Sequence, residues 1–92
     1  MTVKQAHIIV TGRVQMVGYR FSAVISAAEH GLVGWVRNTR DGHVEIVAEG
    51  PAEGMEAFIK WCWIGARAAL VEDVRVEWRE PTGKFTRFDV KY

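Results

Sequence analysis

The sequence predicts an α+β fold in which two helices cover one face of an antiparallel sheet. Apolar residues follow a strand period and then a helix period, and this change occurs twice along the chain. An Asp-Gly pair also joins two strand-like runs, and glycine or proline separates most of the segments. The resulting order is βαββαβ with a short C-terminal strand, which is the ferredoxin-like arrangement. Because this fold has many functions, the function must be argued from a site.

The chain begins with a strand, a glycine-bounded turn and a helix. Residues 4–14 are rich in β-branched side chains, and three consecutive apolar residues at 8–10 indicate a central strand. Residues 21–30 then have the period of an amphipathic helix that ends at Gly31. The apolar stripe expected to face the core consists of Phe21, Val24, Ile25 and Ala28.

A hairpin and a second helix follow. Residues 32–40 and 43–49 are strand-like runs on either side of Asp41-Gly42, and Glu45 and Glu49 alternate with apolar residues, which predicts a solvated sheet face. Gly50-Pro51 precedes the second helix. That helix is predicted at 52–64, and its core stripe consists of Met55, Phe58, Ile59 and Cys62. A strand at 69–78 and a turn at 81–83 follow. The last predicted strand contains Phe85, Phe88 and Val90. Trp61 and Trp63 flank the core stripe, so one of them is expected at its rim.

Length and composition predict one domain that spans residues 1–92. The content of 49% hydrophobic and 25% charged residues is ordinary for a globular protein, and a net charge of +1 does not favour bulk binding of nucleic acid. The single cysteine, Cys62, excludes an intramolecular disulfide and indicates a reducing compartment. No signal peptide or membrane-spanning run is recognisable, so we expect a cytoplasmic location without membrane association.

The turn at residues 12–20 has the features of an anion site. A strand that feeds through a glycine loop directly into a helix directs backbone N–H groups, and the positive end of the helix dipole, at one point. Arg20 adds a guanidinium whose donors match phosphate or carboxylate oxygens. The turn lacks the endings of ATP- and dinucleotide-binding loops. A small dianionic group such as a terminal phosphoryl fits best.

Asn38 is the polar residue expected to face this turn. If the strand at residues 33–40 lies beside the first strand, the Asn38 side chain reaches the space above the loop. Its amide carries both a donor and an acceptor, so it can orient a water molecule. Thr39 could serve similarly.

These residues resemble the acylphosphatase family. The resemblance rests on GRVQMVGYR at residues 12–20, GWVRN at 34–38 and DGHVE at 41–45, in the family's order and spacing. It runs from the first strand to Phe88. The resemblance implies hydrolysis of the carboxyl-phosphate bond of acyl phosphates to a carboxylate and inorganic phosphate, without metal or cofactor. It does not imply a nucleic-acid partner, and we expect a monomer.

The resemblance also implies residue roles. Arg20 and Asn38 are the expected catalytic residues, with Arg20 on the phosphate and Asn38 positioning the attacking water. The expected phosphate-binding residues are Gln15, Met16, Val17, Gly18, Tyr19 and Arg20, which act mainly through backbone amides.

Met16 departs from the family pattern, which usually has Gly-Val-Gly where this chain has Met16-Val17-Gly18. If the position needs a positive φ, a side chain strains or narrows the loop, and Met16→Gly should raise the catalytic efficiency. A second departure, Gly65-Ala66 in place of Gly-Pro, concerns turn rigidity only.

Two alternatives remain: a catalytically weakened or inactive relative that binds phosphate, and a ferredoxin-like module that binds RNA.

Overall fold

The computed structural model describes residues 2–92 as a five-stranded sheet with two helices. In chain order the elements are β1 (Val3–Arg13), α1 (Tyr19–Glu29), β2 (Val33–Asn38), β3 (Val44–Pro51), α2 (Ala52–Ile64), β4 (Leu70–Arg79) and β5 (Phe88–Val90). The strand order across the sheet is β4-β1-β3-β2-β5. The predicted α+β class and βαββαβ order with a short final strand are confirmed. β5 pairs parallel to β2, whereas the other pairs are antiparallel.

β1 is a central strand, as its consecutive apolar residues predict. It pairs with β3 on one side and β4 on the other, and Ala6, Ile8 and Val10 are fully buried. A bulge interrupts its pairing with β4 between Thr11 and Gly12. Gly12 has a φ of 121°, and a Cβ there would collide with the Leu70 carbonyl oxygen, so only glycine fits. The bulge is where β1 leaves the sheet and enters the loop before α1.

The core face of α1 differs from the predicted stripe. Tyr19, Ala23 and Ala27 are buried, whereas Phe21 and Ile25 are 72% and 50% exposed. The stripe prediction is wrong for Phe21, Ile25 and Ala28, which are exposed, whereas Val24 packs against the core. The prediction ranked residues by hydrophobicity, while the packed face uses other alanines, which let a helix lie close to its neighbours. The helix ends as predicted: Leu32 and Gly31 N–H groups donate to the Ala27 and Ala28 carbonyls at 2.9 and 3.1 Å.

The core face of α2 agrees with its sequence pattern. Met55, Phe58 and Cys62 are fully buried, and Trp63, at 49% exposed, is the rim tryptophan. The Tyr19 hydroxyl donates to the Cys62 carbonyl oxygen at 2.8 Å, which ties the first turn of α1 to α2. Burial raises the pKa of the Cys62 thiol to about 12, so this cysteine packs as a small apolar side chain.

The sheet face opposite the helices is less exposed to solvent than the alternation of polar and apolar residues at 43–49 predicted. Glu49 is 4% exposed and accepts hydrogen bonds from the Gln5 amide, from the Thr82 N–H and hydroxyl, and from the Gly83 N–H. Glu45 is largely covered and pairs with His7 and Arg37, each at 2.6 Å. The prediction of a solvated acidic face is therefore wrong. For Glu49 the partners at 82–83 lie more than 30 residues away, beyond any local pattern.

Glu49 gives the fold a dependence on pH. Burial acts to raise the pKa of its carboxyl, but the hydrogen bonds from Thr82, Gly83 and Gln5 outweigh burial and lower it. A lowered folded-state pKa means that the stabilisation is complete above the unfolded carboxyl value, about 4.3, and is lost as the pH falls through the folded value.

We expect Glu49→Gln to lower the free energy of unfolding by about 1–2 kcal/mol at pH 7, because charge-assisted bonds become neutral ones. For a domain of this size, each kcal/mol lost lowers Tm by roughly 4–8 °C. The difference from the parent should shrink as the pH falls below about 4.3, where the unfolded carboxyl takes up a proton, and should disappear below the lowered pKa of the folded carboxyl. Thermal unfolding across pH 3–8 measures this. Glu56→Gln, on the exposed face of α2, is the matched control, and an equal loss in both variants would contradict the assignment.

Candidate active site

The loop between β1 and α1 lies close to Asn38, but the contact that holds it there is not the one that the sequence predicted. β2 does not lie beside β1, because β3 separates them in the sheet, so the adjacency assumed in the sequence interpretation is wrong. The side chain of Gln15 makes the connection instead. Its amide Nε2 donates to the Thr39 and His43 carbonyl oxygens, each at 2.8 Å, and these residues flank the turn between β2 and β3. The loop is thereby held against the end of β2.

A small cavity lies where the loop, α1 and the ends of β2 and β5 meet. Its volume is about 180 Å³. Arg20 and Asn38, the two predicted catalytic residues, both line it, together with Gly18. The remaining lining residues are Val14, Met16, Tyr19, Phe21, Val90 and Tyr92. Among these lining residues of the described chain there is no carboxylate and no imidazole.

The loop backbone alternates in the sign of φ, as the backbone of an anion-binding nest does. Met16 has a φ of 61° and Gly18 a φ of 79°, and Met16 is the one non-glycine residue with positive φ within residues 2–92. Alternation of right- and left-handed residues turns successive N–H groups to the same side of the chain. The positive φ anticipated for residue 16 is present, and the methionine adopts it. A non-glycine residue in this region costs about 1–2 kcal/mol.

The N-terminus of α1 leaves its first amides free. Gly18 is the N-cap and supplies no side-chain hydrogen bond, and the first turn contains no acidic residue. The first bond of the helix runs from the Ser22 N–H to the Gly18 carbonyl at 3.1 Å, so the N–H groups of the three preceding residues have no partner within the helix. These amides and the helix dipole favour an anion at this end.

Arg20 brings a full positive charge to the same end of the helix. It is half-buried, and within residues 2–92 no carboxylate oxygen lies within salt-bridge distance of its guanidinium. The ring of Tyr92 lies 5.6 Å from the guanidinium carbon, a cation–π distance. The Lys91 N–H donates to the Val36 carbonyl at 2.8 Å, so the chain after β5 stays beside β2 and presents Tyr92 to the cavity. Sequence reasoning missed Tyr92 because no local signal predicts a parallel β2–β5 pair.

Asn38 ends β2 with an unsatisfied side chain. Its Oδ1 is buried and has no hydrogen-bond partner within the described residues. Such an atom costs about 1–3 kcal/mol unless a ligand or water satisfies it. Thr39, considered as a substitute, is engaged elsewhere: its hydroxyl donates to Asp41 and accepts the His43 N–H, and it does not line the cavity.

The other loop side chains are anchors. Gln15 bonds to the β2–β3 turn, Val17 packs against the core, and the Tyr19 hydroxyl reaches α2. What these three residues can offer to a ligand is their backbone N–H groups. The expectation that the loop acts through its amides, with Arg20 as its charged side chain, stays a prediction.

A larger depression of about 470 Å³ lies at the β4 edge of the sheet, beside Lys4 and Trp78. Among the described residues that line it, free helix amides, an unpaired guanidinium and an unsatisfied amide oxygen do not converge. The smaller cavity is therefore the candidate active site.

The model of the acylphosphatase family matches residues 6–90, a range that contains the loop, Asn38 and β5. The chain belongs to the acylphosphatase family. A protein named acylphosphatase from Nostoc sp. is 52% identical over 87 residues, which are 95% of this chain and 85% of that protein. An acylphosphatase from Methylococcus capsulatus is 51% identical over 95% of both chains.

Solved structures agree with this membership. The crystal structure of acylphosphatase from Bacillus subtilis matches with a TM-score of 0.94 and 37% identity, and the match covers 99% of this chain and 100% of that one. The family and the fold together support acyl phosphate hydrolysis as the activity of this chain. Within residues 2–92, neither helix has the length and apolar character needed to cross a membrane.

Met16 provides a test of the loop backbone. We expect Met16→Gly to raise the free energy of unfolding by about 0.5–1 kcal/mol, because relief of the left-handed strain exceeds the extra entropy of glycine in the unfolded chain. We also expect a higher kcat/KM, measured with acetyl phosphate. Met16→Ala is the control, since it removes the long side chain but keeps a Cβ at positive φ. A gain in stability from alanine equal to that from glycine would show that the backbone strain is not the cause.

Proposed function

We propose that this chain is a metal-independent acylphosphatase in which the loop amides of residues 15–20 and Arg20 bind the phosphoryl group and Asn38 positions the attacking water. The observation that carries the proposal is the shared cavity of Arg20 and the unpartnered Asn38 Oδ1 at the open N-terminus of α1. The amides and the guanidinium are complementary to a phosphoryl dianion, and the amide oxygen is complementary to water.

Electrostatic stabilisation is the main contribution that this site can supply. In phosphoryl transfer the charge is spread over three equatorial oxygens, and catalysis is largely positioning and stabilisation of that charge. The free N–H groups and Arg20 are held in place before substrate arrives, so little reorganisation accompanies the reaction. The Gln15 and Tyr19 side chains supply this rigidity from both ends of the loop.

Asn38 supplies orientation for the nucleophile. Its Oδ1 accepts a hydrogen bond from the water, which leaves a lone pair of the water oxygen free to face phosphorus. The new bond joins the water oxygen to phosphorus, and the bond between phosphorus and the acyl oxygen breaks in line with it. The electron pair leaves with the carboxylate, and the water proton passes to a phosphate oxygen. The dianionic acyl phosphate and water thus give a carboxylate and H₂PO₄⁻.

The leaving group explains how the site can work without an acid or base. A carboxylate is a weak base, so it leaves without protonation, and the cavity supplies no carboxylic acid or imidazole among its described residues. Arg20 and the amides provide the positive charge that a metal ion provides in other phosphoryl-transfer sites. We propose small-molecule acyl phosphates and inorganic phosphate as the only partners, and a cytoplasmic monomer as the working form.

RNA binding is the less favoured alternative. Modules of this fold stack bases on aromatic side chains of the central strands. Here the central strands are β1 and β3, and their open face carries Ile9, Glu45 and Val47 in the corresponding region. The ring that this face does carry beside them, that of His7, is paired with Glu45 at 2.6 Å, and the Glu45 carboxylate repels phosphate. Salt-sensitive binding of single-stranded RNA would be needed to revive this alternative.

A phosphate-binding relative without turnover is the other alternative, and the side chain of Met16, which lines the cavity and narrows it, is the observation that favours it. The backbone of the loop does not favour it, because Met16 already adopts the left-handed conformation and φ alternates in sign along the loop as in a nest. Hydrolysis of benzoyl phosphate, with inorganic phosphate as a competitor, distinguishes the alternatives: binding without turnover would identify the inactive relative.

We expect Arg20→Gln to abolish measurable hydrolysis and Asn38→Ala to lower kcat/KM for benzoyl phosphate by about 10²- to 10³-fold, as removal of one preorganised donor does in comparable sites. Both variants should keep the parent far-UV circular dichroism. Arg40→Gln, in the exposed β2–β3 turn, is the matched control and should retain the parent rate. Parent-like rates in either site variant would refute the assignment of that residue.

We expect an excess of a chelator such as EDTA to leave kcat/KM unchanged, because the positive charge around the phosphoryl group comes from Arg20 and the backbone. The measurement compares benzoyl phosphate hydrolysis before and after exhaustive dialysis against EDTA. A loss of activity that added Mg²⁺ or Zn²⁺ restores would contradict metal independence.

A further inference from the structure

β4 is a long strand at one edge of the sheet. It has ten residues, Leu70–Arg79, whereas β5 at the opposite edge has three. β4 pairs with β1 on one side, and within residues 2–92 no backbone hydrogen bond outside the strand pairs involves residues 70–79. Alternate N–H and C=O groups along its outer side are therefore available to pair with another strand.

The two faces of β4 carry different side chains. Its register with β1 places Val74, Val76 and Trp78 on the face that the helices cover, and Trp78 is 52% exposed there. The opposite face of the strand carries four exposed charged residues whose signs alternate: Asp73, Arg75, Glu77 and Arg79. This edge of the sheet thus presents an apolar row and a row of alternating charges.

The charges on β4 are only partly neutralised within the chain. Glu77 and Arg79 pair at 3.0 Å, but no ion pair within residues 2–92 involves Asp73 or Arg75. Charges of one sign on an edge strand repel a second copy of the same strand. Alternating charges act differently, because an antiparallel copy can place each positive charge opposite a negative one.

One antiparallel register of β4 with a second β4 satisfies all of these charges. It places Val76 opposite the partner's Val76. Asp73 then faces the partner's Arg79. Arg75 faces the partner's Glu77, and the two-fold symmetry repeats both pairs. Every charged residue of the row therefore meets an opposite charge.

The apolar row selects the same register, and other registers are worse. On the helix-covered face, Trp78 lies opposite the partner's Val74, which is a favourable pair of an aromatic and a β-branched residue. A shift by two residues brings like charges together: Arg75 meets the partner's Arg75 in one direction, and Glu77 meets the partner's Glu77 in the other. A shift by four leaves half of the opposite-charge pairs, and a shift by one turns the partner's sheet over, so that apolar residues face charged ones.

We propose that β4 is a self-association surface, which pairs with β4 of a second copy of this chain in the register centred on Val76. The resulting two-fold dimer joins two five-stranded sheets into one continuous sheet. The paired segment is 73–79, between the bulge opposite Gly12 and the end of the strand. Glu72 and Glu80, which this register would bring opposite each other, lie beyond that segment, in the bulge and after the strand.

Affinity and register come from different groups in this interface. The backbone hydrogen bonds and the apolar row supply affinity. The charge pairs remain exposed, so each contributes little to affinity, but they penalise every register in which like charges meet.

The active site is remote from this edge. β1 and β3 separate β4 from β2 and β5, and no residue from 70 to 79 lines the cavity. Each copy keeps a complete site, so the monomer remains the catalytic unit and the dimer forms as the protein concentration rises. The dimer and the proposed function can therefore be tested separately.

Sedimentation equilibrium of the full chain tests the association. We expect the weight-average mass to rise from that of one chain toward that of two as the concentration increases from micromolar to millimolar, the range of a weak interface. Arg75→Glu should raise the Kd by about tenfold or more, because the new carboxylate faces the partner's Glu77. Adding Glu77→Arg to that variant should restore the parent Kd within about twofold, since the swap makes the pair complementary again.

Arg40→Glu, in the exposed β2–β3 turn, is the matched control, because it changes the net charge equally but lies away from β4. Hydrolysis of benzoyl phosphate at the parent rate shows that each variant is folded. A parent chain that stays monomeric at millimolar concentration would overturn the inference. So would an Arg75→Glu variant that associates like the parent, or a double variant that does not recover.

Cross-linking by diamide tests the register. Val76→Cys places two thiols opposite each other across the two-fold axis, where the Cα spacing of an antiparallel pair falls within disulfide range, so oxidation should give a covalent dimer. Leu70→Cys is the control, because Leu70 is exposed on the same strand but lies far from its own copy in this register. The native Cys62 is fully buried and does not compete. Equal yields of covalent dimer from the two variants would contradict the proposed register.

Discussion

The two hydrogen bonds of the Gln15 side chain hold the active-site loop in place. A loop that offers its N–H groups to a ligand cannot use those groups to hold itself in place, so its position must come from other atoms. Gln15 meets this requirement by donating to the carbonyls of Thr39 and His43. Since those carbonyls flank the turn that follows Asn38, the same contact helps to set the distance between the loop amides and the Asn38 side chain. The Tyr19 hydroxyl on α2 fixes the other end of the loop.

The order of the elements could be predicted because its signals are local. The β-branched run of β1, the Asp-Gly turn and the glycine after each helix all act within a few residues of the structure they specify. The core face of α1 could not be predicted in the same way, because the distance between helix and sheet decides whether alanine or phenylalanine packs there. That distance depends on the whole layer. The neighbours of β2 and the burial of Glu49 likewise depend on partners far away in the chain.

For the candidate site, the motif resemblance identified residues that periodicity alone could not. Arg20 and Asn38 were predicted, and both line one cavity, although the strand adjacency used to connect them was wrong. Tyr92 and the outward position of Phe21 were missed for a common physical reason. Both residues are exposed because the core packs without them. A sequence pattern predicts which residues are buried more readily than which apolar residues stay exposed.

An unpaired guanidinium, free helix amides and an unsatisfied amide oxygen make the folded state a receptor for anions even when no substrate is present. The unfolded chain has no such arrangement, so every bound anion adds to the free energy of unfolding by mass action, about 2.7 kcal/mol at a concentration of 100 times the Kd. Phosphate is both the product and a common buffer. If phosphate occupies the proposed site, the solution that slows the enzyme also protects it from heat, and the apparent stability then depends on the buffer in which it is measured.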